Sequence, residues 1–454
     1  MSLFKVSYSK IVIYIIIISS LFVLFKYKYW QKENRVIVWD VISYYAYLPA
    51  TFIYFDTSLD FIDHYKGKHK FIFWPSIAPN GKKVIKTSMG LSMLYFPFFL
   101  MGHLSALISG YDAGGYSIPY KFFLQFSSLF YLAIGLFYLR KVLLNFFSET
   151  ATALGILLTF FATNLMYYTT FEATMSHSYN FAMFAVFIYL TIKWYSLPTN
   201  KNTILLGLLS GLIVLTRPTN IIILLFFVFW DIKNPKNLML RFNFLFKNAN
   251  KILLMALMAF IVWLPQFLYW KMQTGSFIYF SYGDERFFFN DPQIFNGLFS
   301  YRKGWLLYTP VMIFALFGIL FLKKQANSFF LPVLLFTVFN IYIILSWWCW
   351  WYGGSYGLRA FVDSYAVLIF PLVAIIDYFY KRAKAKIFIL TLSSILLFHG
   401  VFQTMQYYYG AIHWDSMTKD AYQESFGKLH PTENYWKMLN PPNYEKAKKG
   451  ERGL

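Results

Sequence analysis

Apolar residues in this chain gather into long runs, at 11–25, 88–108, 121–139, 151–171, 178–195, 203–230, 252–270, 305–322, 329–348, 362–380 and 387–406. A helix crossing a bilayer needs about 20 consecutive apolar residues, and most of these runs are of that order. The pattern predicts an all-α polytopic membrane protein. Two polar stretches are long, 31–87 and the tail from 407 onward, and no internal repeat or low-complexity tract interrupts the series. The expected division is a transmembrane unit over 1–406, with 31–87 as its first outer loop, and an outer-side appendage over 407–454.

Some runs are broken. In "LTRPTN", Arg217-Pro218 ends one helical half and starts another, because proline disfavours a helical residue before it. The run 88–108 contains Gly90, Pro97 and Gly102 and is expected to cross the membrane incompletely. Broken helices at membrane depth are tolerated where they line a cavity. The expected total is about 10–12 membrane or half-membrane helices.

Short basic loops orient the chain: Arg140/Lys141, Lys193/Lys201, the cluster from Lys233 to Lys251, Lys323/Lys324, and Lys381 to Lys386. The positive-inside bias places them in the cytoplasm, with 31–87, the Arg302 loop, the Arg359 loop and the tail outside. The first run reads as an uncleaved signal anchor, since no small-residue cleavage site follows it.

Composition narrows the class. At 58% hydrophobic, 23% aromatic and 13% charged, the chain is too apolar for a soluble domain. Its net charge of +21 falls mostly between apolar runs, which points to topology and lipid headgroups rather than nucleic acid. A single cysteine, Cys349, excludes an intramolecular disulfide and a cysteine-rich metal site.

Candidate chemistry begins at "VIVWDVISYYAYLPA". On a helix starting near Trp39, Asp40, Tyr44, Tyr47 and Thr51 form one stripe carrying a carboxylate and three hydroxyls, with Pro49 bending it near the end. The alternative is an interfacial aromatic helix on which Asp40 serves as the N-cap. Lys86, Arg302 and Arg359 stand beside glycines and aromatics on the outer side, where they would meet a phosphate or snorkel from helix ends. Lys303 is a lesser member of that set. Arg217 lies within an apolar segment, and an intramembrane arginine is a functional hypothesis by default. In "FEATMSHSYNF", Glu172 and His177 are either substrate-facing groups or a satisfied polar pair. Asp60, Asp63 and His64, with His69 beyond, have metal-ligand spacing on a helix, but no metal or other cofactor is predicted. Phosphate-loop, HExxH, nucleophile-elbow and dinucleotide fingerprints are absent.

The order of "WDVISYYAYLPA", "KTSMGLSMLYFPFF", "TMSHSYNFAMF", "GLLSGLIVLTRPTN", "YRKGWLLYTPVMIFALFGI" and "GGSYGLRAFVDSYAVLIFPL" resembles the C-type (GT-C) superfamily of integral membrane glycosyltransferases. The likeness is to the bacterial relatives of protein O-mannosyltransferases and lipid A aminoarabinose transferase, over roughly residues 10–380. It implies transfer of a sugar from a polyprenyl-phosphate donor to an acceptor on the outer face of the bacterial cytoplasmic membrane. It also implies that Asp40 matches the acidic residue of the first outer loop that acts as base. The family often has an acidic pair there; Val41 stands in the second place, which argues against a metal-dependent variant.

One carboxylate suffices for such chemistry, since a phosphate leaves as a stable anion and only the acceptor hydroxyl needs a base. Lys86, Arg217, Arg302 and Arg359 are the expected donor-phosphate ligands, and Tyr44, Glu172 and His177 the expected substrate contacts. Gly207, Ser210 and Gly211 are expected to border a groove for the prenyl chain. Direct attack would invert the sugar. A transporter or flippase of lipid-linked sugars is the chief alternative, and it predicts matched halves that this chain lacks.

Overall fold

The computed structural model describes residues 7–64 and 75–453. The main helices are α1 (Tyr8–Tyr27), α2 (Asp40–Tyr45), α3 (Gly90–Ile108), α4 (Ile118–Leu143), α5 (Glu149–Phe161), α6 (His177–Ser196) and α7 (Asn200–Thr216). They continue with α8 (Pro235–Lys247), α9 (Ala249–Thr274), α10 (Val311–Gln325), α11 (Asn327–Ser346), α12 (Tyr365–Tyr380), α13 (Ala383–Tyr409) and α14 (Lys419–Ser425). A short antiparallel hairpin pairs Ser76–Ile77 with Lys83–Val84. Seven helical segments among the described residues are long and apolar enough to cross a membrane: those containing α1, α3, α4, α9, α11, α12 and α13. The chain is an all-α polytopic membrane protein.

Its centre is α12. Every residue from Tyr365 to Asp377 is buried, so this helix is apolar all round and meets protein rather than lipid. The surrounding helices approach it closely. A Cβ on Gly318 of α10 would lie 2.1 Å from the Pro371 carbonyl oxygen, and one on Gly155 of α5 would lie 2.2 Å from the Val373 side chain. A 3₁₀ turn, Arg359–Ser364, leads into α12 and puts polar residues at its head.

The broken runs divide differently from expectation. The Arg217-Pro218 break is present: α7 ends at Thr216, Arg217 is extended (φ −152°, ψ 107°), and a 3₁₀ turn, Pro218–Ile223, follows. The 88–108 run, expected to be interrupted, is instead the continuous 19-residue helix α3 with Pro97 inside it. Its glycines serve close packing. A Cβ at Gly90 would sit 2.3 Å from the Thr216 backbone nitrogen, and one at Gly102 would sit 2.9 Å from the Tyr120 Cα. Gly207 and Gly211 likewise do not border a lipid groove: they form the crossing of α7 on α9, where added Cβ atoms would meet the Met255 and Ala259 carbonyl oxygens at 2.5 and 2.7 Å.

The two ends of the bundle are tied by different chemistry. Near the basic loops, Glu149 accepts from the Ser7 and Ser9 hydroxyls and lies 4.0 Å from Arg140, while Asp377 holds Ser148 and Lys381. At the opposite end the tail packs on the chain around 286–303 and 346–355. Its short helices are each capped, Thr418, Thr432 and Asn443 accepting from the backbone nitrogens of Ala421, Tyr435 and Lys446. Arg302 donates to the Asp415 and Asn440 carbonyls at 2.7 and 3.0 Å, and Lys303 to those of Ser355 and Trp414. Arg452 returns the favour from the tail, pairing with Asp291 at 2.9 Å and donating to the Ser346 and Trp347 carbonyls.

Candidate functional site

Asp40 is the first residue of α2, and Trp39, not Asp40, occupies the cap position. The helical stripe from Asp40 to Thr51 is not continuous. Proline cannot donate to the carbonyl four residues back, and Pro49 therefore leaves Tyr45 as the last residue of α2 before a second short helix, Tyr47–Phe52. Tyr44 stays with Asp40, whereas Tyr47 turns away to donate to the Thr87 carbonyl at 2.7 Å. Trp39 has φ +52°, a left-handed conformation that costs a bulky residue energy and sets the direction of the chain as it enters α2.

The Asp40 carboxylate pairs with Arg359 at 3.0 Å, its side chain 50% exposed against 17% for the arginine. Arg359 comes from the head of α12, more than three hundred positions later in sequence, so the most buried helix of the bundle presents its cation at the exposed carboxylate.

Behind this pair lies a second carboxylate, Asp363, further along the 3₁₀ turn that leads into α12 and 3% exposed. It accepts from Asn180 at 2.8 Å and Asn220 at 3.2 Å, faces His177 Nδ1 at 2.8 Å, and pairs with Arg217 at 3.4 Å. A buried carboxylate is costly unless paired and hydrogen-bonded, and here four side chains from three elements meet that need. Arg217 reaches Asp363 because Pro218 holds it extended, and its guanidinium lies 5.5 Å from the centre of the Tyr352 ring. Tyr352 has φ +56°, a second strained residue at this site.

Two further groups complete the cluster. Lys86 pairs with Glu285 at 2.5 Å and lies 5.2 Å from the centre of the Tyr282 ring; Tyr282 is within electrostatic reach of Tyr44, Asp40, Glu285 and Arg217. Burial pushes the Tyr282 phenol well up, and Tyr44, Asp40 and Glu285 push it the same way. Burial also raises the Tyr44 phenol, to about 12, with Asp40 adding to the shift and Arg359 and Arg217 opposing it. Both phenols are therefore hydrogen-bond donors at neutral pH. Glu172 faces the Tyr167 hydroxyl at 3.3 Å; burial raises its carboxyl while Arg359 pulls the other way.

Of the sequence-predicted residues, Asp40, Tyr44, Arg217 and Arg359 converge directly, and Lys86 joins them through Tyr282. Glu172 and His177 do not pair with each other; His177 is a partner of Asp363 and is 3% exposed. Arg302 lies elsewhere, its guanidinium committed to carbonyls of the tail. Asp63 and Asp60 both face Lys83, and His69 falls outside the described residues. Among the described residues, no group of three or more His, Cys, Asp or Glu is placed to hold a metal ion.

Sequence reasoning passed over Asp363, Asn180, Asn220, Tyr282, Glu285 and Tyr352. A signal for Asp363 exists in "RAFVDSYAVLIFPL", a carboxylate at the head of a wholly apolar helix, and an intramembrane Arg217 calls for such a counter-charge.

No protein-family model and no curated protein sequence matches the chain.

Proposed function

We propose that this chain is a membrane glycosyltransferase. It moves a sugar from a polyprenyl-phosphate donor to an acceptor hydroxyl on the outer face of the bacterial cytoplasmic membrane, with Asp40 as general base. The observation that carries the reading is the pairing of one half-exposed carboxylate with Arg359, beside a second arginine, Arg217, fixed at a helix break. Lys86, paired with Glu285, reaches the same cluster through the Tyr282 ring.

In this reading the acceptor approaches Asp40 from the exposed side. Its hydroxyl oxygen attacks the anomeric carbon, the sugar–phosphate C–O bond breaks, and the hydroxyl proton passes to Asp40. The electron pair of the broken bond leaves with polyprenyl phosphate. Arg217 and Arg359 stabilise the charge that accumulates on the departing phosphate, most effectively where water is scarce. Asp363 neither attacks nor takes a proton: it orients Arg217, and His177, Asn180 and Asn220 orient it in turn. Single displacement inverts the sugar.

Reconstituted protein supplied with radiolabelled polyprenyl-phosphate sugars tests this reading. A transferase releases polyprenyl phosphate and yields a labelled acceptor. Movement of the intact donor between leaflets without release would replace this reading with a flippase.

A further inference from the structure

The helix α8, Pro235–Lys247, buries none of its residues. It is held to the rest of the chain along one side. Phe244 meets the Trp194 and Tyr195 rings near the end of α6, with centroids 5.8 and 5.7 Å apart, and Arg241 lies over Tyr195 and donates to the Trp230 carbonyl. On the side turned away, Met239, Phe242 and Phe246 are spaced i, i+3, i+7 on one stripe, and they are 69%, 42% and 76% exposed. Lys236 and Lys247, both exposed, stand about a quarter turn round the helix from that stripe, in line with Leu240 and Asn243.

Covalent connection and charge together say what covers this face. Asn248 alone separates α8 from α9, a helix long and apolar enough to cross a membrane, and only 11% of the most apolar stretch of α9 is buried by protein. The helix α8 therefore stands at the end of a lipid-facing span. Between residues 190 and 252 the chain carries Lys193, Lys201, Lys233, Lys236, Lys247 and Lys251 against one carboxylate, Asp231, and that carboxylate is already paired with Lys233 at 3.1 Å. Lys251 donates to Asn200, which draws the α6–α7 connection to the same corner. An apolar stripe flanked by unanswered lysines at the mouth of a span is complementary to a bilayer surface that carries acidic headgroups.

We propose that α8 is a docking surface for acidic phospholipids in the leaflet at the Ala249 end of α9. Met239, Phe242 and Phe246 enter the acyl boundary, and Lys236 and Lys247 meet the headgroup phosphates. The helix takes no part in the reaction proposed at Asp40, and each reading stands without the other.

The test reads the lipid beside α8 in the full-length protein. Phe246→Cys offers an exposed thiol for an NBD fluorophore, whereas Cys349 is buried. The labelled protein is reconstituted in phosphatidylcholine vesicles doped with doxyl-labelled phosphatidylglycerol or doxyl-labelled phosphatidylcholine. Both lipids quench, and phosphatidylglycerol does so at a mole fraction at least about fivefold lower, the enrichment expected from one lysine near the surface. Adding Lys236→Gln and Lys247→Gln brings the two lipids close to parity. Quenching by neither lipid would show a face covered by protein or water. Equal quenching with both lysines in place would show a lipid contact indifferent to charge, and an undiminished preference in the glutamine variant would place the acidic lipid elsewhere. Each of these three results overturns the proposal, and the first two do so without removing a lysine.

Discussion

Asp40 and Asp363 are both carboxylates facing an arginine, yet their surroundings give them opposite duties. Half of the Asp40 side chain is exposed, and an exposed ion pair contributes only about 0–1 kcal/mol to stability. Asp363 is enclosed by His177, Asn180, Asn220 and Arg217, and truncating it strands the Arg217 cation, whose side chain is 20% exposed, and empties a buried hydrogen-bonded site. Asp363→Ala therefore lowers stability by about 3–5 kcal/mol, whereas Asp40→Asn leaves thermal unfolding in detergent close to wild type. Equal melting of wild type and Asp363→Ala would show that the enclosure carries no load. Arg217 was legible in the sequence because charge in an apolar segment is conspicuous. Asp363 was not, since its partners come from two distant stretches, around 177–180 and 217–220, and the run 362–380 reads as one more membrane helix.

At the scale of elements, local covalent rules were readable and tertiary contacts were not. The Arg217-Pro218 break follows from the proline ring alone, and the structure has it. Gly102 also looks like a break in a sequence, but α3 begins at Gly90 and runs on through Gly102, and other chain segments press against both glycines. The same holds for Gly207 and Gly211, whose lack of a side chain admits α9. At Gly211 the nearest atoms are backbone of Ala259, which cannot swing aside. Gly211→Val should cost about 1–3 kcal/mol, read as a lower unfolding temperature, with Gly453→Ala, where an added Cβ meets nothing within 4 Å, as a control for handling. An unchanged unfolding temperature for Gly211→Val would mean that α7 and α9 are not held at this crossing.

Across the whole molecule, the tail is the element whose attachment has a pH signature. Lys303 is 1% exposed, and burial lowers its ammonium to about 7, with Asp415 pulling upward and Arg359 adding to the fall. An unfolded lysine titrates near ~10.4. Between these values the unfolded chain binds more protons than the folded one, so this group makes stability rise with pH from about 7 to about 10.4 and contributes a constant penalty below. Thermal unfolding followed across that window should show the rise in wild type and a flatter profile in Lys303→Met. Identical slopes would remove Lys303 as the cause. The all-α membrane architecture was legible from apolar runs alone, while the rivets of the tail were not, because Arg302 and Lys303 meet carbonyl groups, which carry no sequence signature.

The proposed role of Asp40 is tested most directly by the single-turnover rate of donor cleavage at saturating polyprenyl-phosphate sugar and acceptor, compared between wild type and Asp40→Asn. General-base removal predicts a rate about 10²- to 10⁴-fold lower with donor affinity retained. An unchanged rate, or a loss of donor affinity at an unchanged rate of the bound complex, would contradict Asp40 as the base.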